Sequence, residues 1–276
     1  MKKYLYRYQA FARIRRKRQR LEDLIVKNAR YDSSPLWFND PFDCKSLFST
    51  KGTTAHHINM FCEEFVHTVQ EQIRDDGFSP EDAKREMIAR LSTPRGMRAY
   101  LEESRDINQR LLERVAILCF SETPTDILIW SHYADGHRGL CLQFNKAVLG
   151  RVPGALVKVH YRPEYPVFRE YVRLKTRQAK NRFLLARKSD RWRYEREWRL
   201  VRQEPRGLAG FAQPTGKFPD DALTGIIFGC EMSERRRRHV RDLVRQRRSG
   251  TPVQFCEAVR KTEEYGVAIR KLTYSR

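Results

Sequence analysis

No Cys-x-x-Cys pair and no paired cysteine spacing occurs among the six cysteines of this 276-residue chain. Nothing therefore indicates a cysteine-based zinc site or a disulfide framework. Cys119, Cys141 and Cys230 fall inside apolar runs that read as core strands, where a free thiol behaves as a small hydrophobe. Such usage fits a reducing compartment. No run approaches the roughly 18 apolar residues of a membrane span, and the opening residues MKKYLYRY lack the apolar core of a signal peptide. A soluble, cytoplasmic chain without a membrane partner is expected. Internal repeats, low-complexity linkers and a glycine-rich phosphate loop are missing too. Acidic residues are outnumbered, 34 Asp and Glu against 55 Lys and Arg, for a formal net charge of +21. That balance points to an anionic ligand or a nucleic acid as partner, or to a solvated basic surface.

What is present reads as alternating strands and helices. Residues 4–8 alternate aromatic and other side chains like a strand, and 13–27 form a helix with a basic first half and Leu21, Leu24 and Ile25 at helical spacing. A turn-rich segment follows, in which Asn39, Asp40 and Asp43 serve a turn or point polar groups into a cleft. Ile58, Phe61, Phe65, Val69 and Ile73 recur at three and four, giving an amphipathic helix over 56–75. Ser79-Pro80 and Thr93-Pro94 start two more helices. In this helical insert, 56–113, the histidines His56, His57 and His67 suit exposed or capping positions better than metal binding.

Two apolar strands, 115–120 and 139–144, then enclose the densest chemistry in the chain: Trp130, Ser131, His132, Tyr133, Asp135 and His137. Function often sits on such loops held by a rigid sheet. A strand at 156–161 and a basic helix at 168–187 lead to 192–201. Read as a strand, that stretch puts Glu195, Glu197 and Arg199 on one face and Tyr194, Trp198 and Leu200 on the other. Such a face is either an ion-paired edge, Glu197 with Arg199, or a carboxylate pair for acid–base or cation-stabilising chemistry. A strand at 225–229, a Ser233-capped helix over 234–248 with an arginine surface, and a hairpin of 253–259 with 266–272 complete the reading. The expected fold is a single α+β domain, 1–276, with a central, mostly antiparallel sheet, flanking helices and the insert at 56–113.

Taken in order, Leu5-Tyr-Arg-Tyr8, Asn39-Asp-Pro-Phe42, Cys119-Phe-Ser121, Trp130-Ser-His-Tyr-Ala134 with His137 and Gly139, and Tyr194-Glu-x-Glu-Trp-Arg199 resemble the bacterial family catalogued as domain of unknown function 2971. At the level of architecture the motif order is also similar to ADP-ribosyltransferases. That second resemblance implies a split sheet, NAD as co-substrate and no metal. It implies Arg7, beside Tyr6, as first element, Ser131, His132 and Tyr133 as second, and Glu195 with Glu197 as third. One glutamate would stabilise the oxocarbenium-like ribose as nicotinamide leaves, while the other, or His132, orients or deprotonates the acceptor. Tyr133 or Trp130 would stack on nicotinamide, and Tyr6, Asn39, Asp40, His137 and Arg199 would complete the cofactor side. The implied role is a defence or toxin-type effector, against phage for instance, acting on nucleic acid or protein. The helical or looped middle motif and the tryptophan beside the glutamates depart from the usual pattern, which leaves the role of Ser131 and the choice of glutamate open. Two other classes compete: a nuclease using His132, His137, Asp135 and Glu122, although the five-residue histidine spacing misses the helical i, i+4 pair, and a nucleic-acid-binding or sensor protein without catalysis.

Overall fold

The computed structural model describes residues 3–11, 15–45, 48–203, 214–247 and 250–273, with the side chains of 15–17, 106 and 107 left out. The expected first residue of the second-element helix, Arg13, and the last of the arginine helix, Arg248, lie outside the described residues. Contacts divide the chain into two compact units. The first holds 1–34, 114–159 and 191–276, and the second holds 35–113 and 160–190.

In chain order the first unit opens with β1 (Tyr4–Gln9), α1 (Arg15–Lys27) and β2 (Ala29–Arg30). The second unit supplies α2 (Ala55–Asp75), α3 (Pro80–Leu91) and α4 (Pro94–Glu113). The chain returns to the first for β3 (Val115–Ser121), α5 (Ile127–Tyr133), β4 (Leu140–Asn145), α6 (Lys146–Leu149) and β5 (Ala155–Lys158). Then β6 (His160–Arg162), α7 (Phe168–Val172), α8 (Arg177–Leu185) and β7 (Arg187–Ser189) complete the second unit. A 3-10 turn at Asp190–Glu195 leads into β8 (Glu197–Gln203), and β9 (Gly216–Lys217), β10 (Leu223–Phe228), α9 (Glu234–Arg245), β11 (Gln254–Arg260) and β12 (Val267–Lys271) follow.

The first unit is built on an open sheet of eight strands in the order β12-β11-β10-β4-β1-β3-β8-β5. Every neighbouring pair is antiparallel except β10 with β11. The fold is α+β with a mostly antiparallel sheet. At its centre the sheet narrows to the pair Tyr6–Ser121, and further along β3 the loop residue Ser33 pairs with Ile117 instead. Period-two alternation sorts the side chains. On one face Leu5, Leu118, Phe120, Leu142, Phe144 and Ile226 form a core with Leu21, Leu24 and Ile25 of α1 and Val240 and Leu243 of α9. On the other, Tyr8, Cys141 and Ile227 pack with Ile129 and Trp130 of α5 and with Ala134 just after it. Burying each such aliphatic or aromatic side chain contributes about 1.5–3 kcal/mol. β1 is short but central because both of its faces are covered.

In the second unit the buried stripe of α2 runs Ile58, Cys62, Val66, of which Ile58 and Cys62 pack with Leu91, Met97, Leu101, Phe168 and Val172. This corrects the expected stripe. Phe65 is exposed, and Phe61 and Phe65 stack on the margin at 6.0 Å, because steps of four place the thiol and the valine inward. Backbone dihedrals leave the helical region at Val69, so the apolar pattern does not continue on one face. Ser79 caps α3 as read, its hydroxyl accepting from Asp82 N–H. The single helix expected over 168–187 is instead two, since Thr176 Oγ1 accepts from Ala179 N–H at 3.1 Å and starts α8 afresh. Cys230 is not in a strand: it is half-buried in the turn that follows β10.

Candidate functional site

The site is best built from α5. Asp126 Oδ1 accepts from Leu128 and Ile129 N–H, each at 3.0 Å, and so fixes where the helix starts. Trp130, one turn in, is fully buried, stands edge-on to Tyr8 with ring centroids 5.0 Å apart, and donates its indole N–H to Pro124 O at 2.8 Å. Its ring is thus part of the packing. Three residues later Tyr133 reaches away from that anchor, and its hydroxyl donates to Glu195 Oε1 at 2.7 Å. His132, between them, is exposed, with its ring 6.4 Å from Trp192 and 6.3 Å from Tyr133.

After α5 the backbone turns left-handed at Asp135, Gly136 and His137, with φ of 52°, 56° and 64°. A side chain there costs roughly 1–2 kcal/mol, so the surroundings must hold it. They do so through Gly139 N–H to Ala134 O (2.7 Å), Glu231 N–H to His137 O (3.1 Å) and Gly229 N–H to Gly139 O (3.0 Å). A Cβ at Gly139 would sit 2.3 Å from Gln9 O, and one at Gly229 would sit 2.0 Å from His137 O. Only glycine permits this approach. The lock stacks His137 on Trp130 (6.0 Å, 14° between planes), with Nε2 3.4 Å from Ser131 Oγ and Nδ1 3.7 Å from Cys230 Sγ. Ser131 itself donates to Ile127 O at 2.9 Å.

Burial is the main reason the His137 imidazole is held below its ordinary value near 6.5, with Glu231 pulling the other way. The unfolded chain therefore binds more protons than the folded one just below that value. Stability should fall as pH drops below about 6.5, and His137→Gln should flatten that part of a urea-denaturation pH profile. A profile unchanged by the substitution would show that His137 is not responsible.

The second wall corrects the sequence reading. Residues 190–195 are a 3-10 turn, not strand, and Arg196 sits at φ 46° before β8 begins at Glu197. Glu195 therefore reaches the site from a corner and not from the strand face that carries Glu197. Its carbonyl accepts from Ser121 Oγ at 2.7 Å, and Ser121 in turn accepts from Thr123 N–H at 3.1 Å. Ser121 was assigned no role from the sequence. Its only signal there was the Cys119-Phe-Ser121 motif. Glu197 and Arg199, two apart on β8, do share a face and form a bidentate pair, Nε to Oε1 at 2.8 Å and Nη2 to Oε2 at 3.0 Å, with Arg199 fully buried. They lie opposite Ser121 and Cys119 on β3, the face that also carries Tyr6.

Other candidate residues lie elsewhere. Arg7 pairs with Leu142, on the opposite side of β1 from Tyr6, and donates to Cys119 O at 3.0 Å, burial pushing its guanidinium down from the ordinary value. Asn39 and Asp40 belong to the second unit, where Asp40 Oδ1 accepts from Phe42 N–H. Glu122 accepts from Trp198 Nε1 (2.7 Å) and Lys158 (3.0 Å). A hydrogen bond from Arg138 is the main reason Asp135 is held below the usual carboxylate range. His132 and His137 thus have different neighbours. Among the described residues no group of three or more His, Cys, Asp and Glu could hold a metal ion, and no helix is long and apolar enough to cross a membrane.

Neither a curated protein nor a solved structure matches the chain. A family model does, over 129–200, a stretch that runs from α5 through the 3-10 corner into β8 and so contains Trp130, Tyr133, Glu195 and the Glu197–Arg199 pair. That model is described as protein of unknown function (DUF2971), and the segment carrying the site is similar to this family.

Proposed function

We propose that the first unit transfers the ADP-ribosyl group of NAD, with Glu195 as the carboxylate that faces the ribose carbon while nicotinamide leaves. The observation that carries this reading is the hydrogen bond from Tyr133 OH to Glu195 Oε1 beside a run of rings, His132 with Trp192 and Trp192 with Tyr194 at 6.0 Å. A fixed anion aimed at developing positive charge lowers a barrier most where water is scarce, and Glu195 is buried. Planar nicotinamide suits an aromatic wall. Arg193 and Arg196, exposed on either side of Glu195, suit the diphosphate.

In this reaction the bond between ribose C1′ and the nicotinamide nitrogen breaks and its electron pair leaves with nicotinamide. The acceptor adds to C1′ and gives up its proton, for which the exposed His132 imidazole is the nearby base. Glu197 is not the stabilising carboxylate on this reading, because Arg199 already engages both of its oxygens.

Isothermal titration with NAD, followed by chromatographic detection of nicotinamide, tests the proposal. Binding heat and slow nicotinamide release are expected. No heat and no release, with or without added RNA, would end it.

A further inference from the structure

A second site of different chemistry lies in the first unit between α1 and α9. There a cavity of about 690 Å³ is lined by Phe11, Arg18, Arg235, Arg236, Arg238 and His239, together with Ser233 and Asp242. These helices cover the Leu5 face of the sheet, opposite the face carrying Tyr133 and Trp130.

Local carboxylates do not neutralise the cavity. Asp242 is engaged by Arg245 at 3.0 Å, and Glu22 is shared between His239 at 3.1 Å and Arg18 at 3.9 Å. Asp135 pairs with Arg236 at 3.5 Å and with Arg138 at 3.2 Å. Arg235 and Arg238 are exposed and have no carboxylate within ion-pair distance among the described residues. Phe11 forms an apolar floor. The Arg236 guanidinium lies 5.2 Å over its ring and the His239 imidazole stands edge-on at 5.8 Å, so both side chains are held by packing and do not swing freely. Ser233 precedes α9 without a side-chain cap bond, and the positive end of the helix adds to the same field.

We propose that this cavity binds the phosphodiester backbone of a nucleic acid, with Arg235, Arg238 and Arg18 as the phosphate contacts. One phosphate would leave most of the volume empty. Cations one helical turn apart on α9 and a third on α1 suit successive phosphates along a strand. A lipid surface fits less well, since Glu234, Arg235, Arg238, Asp242 and Arg245, the exposed positions of α9, offer no apolar group to insert. Contacts of this kind position a strand without reading its sequence. The inference does not rest on NAD chemistry, because the cavity and Glu195 lie on different faces of the sheet. It makes the cavity an anchor and not the reacting centre.

The test is fluorescence anisotropy of a labelled single-stranded RNA over a series of salt concentrations. The double variant Arg235→Glu, Arg238→Glu should bind at least tenfold more weakly. Its plot of log affinity against log salt should be shallower by about 1.4, since each single-strand phosphate contact contributes about 0.7. Arg95→Glu, Arg98→Glu on α4 makes the same change of charge in the second unit and should leave affinity within about twofold. Circular dichroism of each variant verifies folding, and nicotinamide release should be the same in both. Equal weakening by the two pairs would show diffuse attraction and overturn the site. So would RNA binding absent from the wild type, RNA binding untouched by the α9 pair, or an α9 pair that loses binding only to phosphatidylglycerol vesicles.

Discussion

Glu195→Gln is expected to lower nicotinamide release from NAD by at least about 100-fold, the scale on which one preorganised electrostatic contact acts. The substitution is nearly isosteric, and an amide oxygen can still accept from the Tyr133 hydroxyl that now donates at 2.7 Å. The carbonyl of residue 195 keeps its bond from Ser121. Folding should therefore survive, with the thermal midpoint within a few degrees of wild type, and what is lost is the negative charge. Tyr133→Phe separates positioning from charge: the anion remains but loses its phenolic donor, and a smaller loss in kcat with KM little changed is expected. Turnover equal to wild type in a folded Glu195→Gln protein would remove Glu195 from the chemistry.

Arg199→Met should destabilise the chain by about 3–5 kcal/mol, because it removes the guanidinium that engages both oxygens of the buried Glu197 carboxylate. Glu197 is itself buried and Arg199 is fully enclosed, so water cannot readily take the place of the lost partner. The pair also sits at the start of β8, next to the edge strand β5 and opposite Ser121 and Cys119, where a shift of the strand would reach the corner at Glu195. Urea denaturation measures the loss. Adding Glu197→Leu should bring stability back toward wild type, since removing both charges is far less costly than removing one. A double variant no more stable than Arg199→Met alone would show that the ion pair is not what the arginine contributes. The contrast with Glu195 is the point of making both changes: one glutamate is tied to structure and the other to a phenol among aromatic rings.

Much of this was legible in the sequence because it depends on short-range rules. The alternation Tyr4 to Tyr8, the apolar runs 115–120 and 139–144, and the cap at Ser79-Pro80 each follow from periodicity or from unsatisfied backbone groups near one helix end. The clustering of Trp130, Ser131, His132, Tyr133 and His137 was visible as composition. Its internal division was not. Trp130 turns to the core and Tyr133 to Glu195 because α5 presents different faces to its surroundings, and which face is covered depends on where β1 and β4 run.

The sequence by itself determined the α+β alternation, the caps at Ser79 and Thr93 though not the one expected at Ser233, the apolar central strands and the basic surface of α9, because each rests on spacing within one segment. The tertiary structure decided that Tyr133 holds Glu195, that Ser121 supports the Glu195 carbonyl, and that Cys230 meets His137. It also set the strand order, including the parallel pairing of β10 with β11. Each of these joins residues far apart in the chain, 62 positions for Tyr133 and Glu195 and 93 for His137 and Cys230. No local period encodes such a contact. Two left-handed residues, His137 and Arg196, bend the chain into it, and that conformation is tolerable only where glycines at 139 and 229 and long-range hydrogen bonds hold the first of them, and the bonds from Arg196 N–H to Arg193 O and from Glu122 N–H to Arg196 O hold the second.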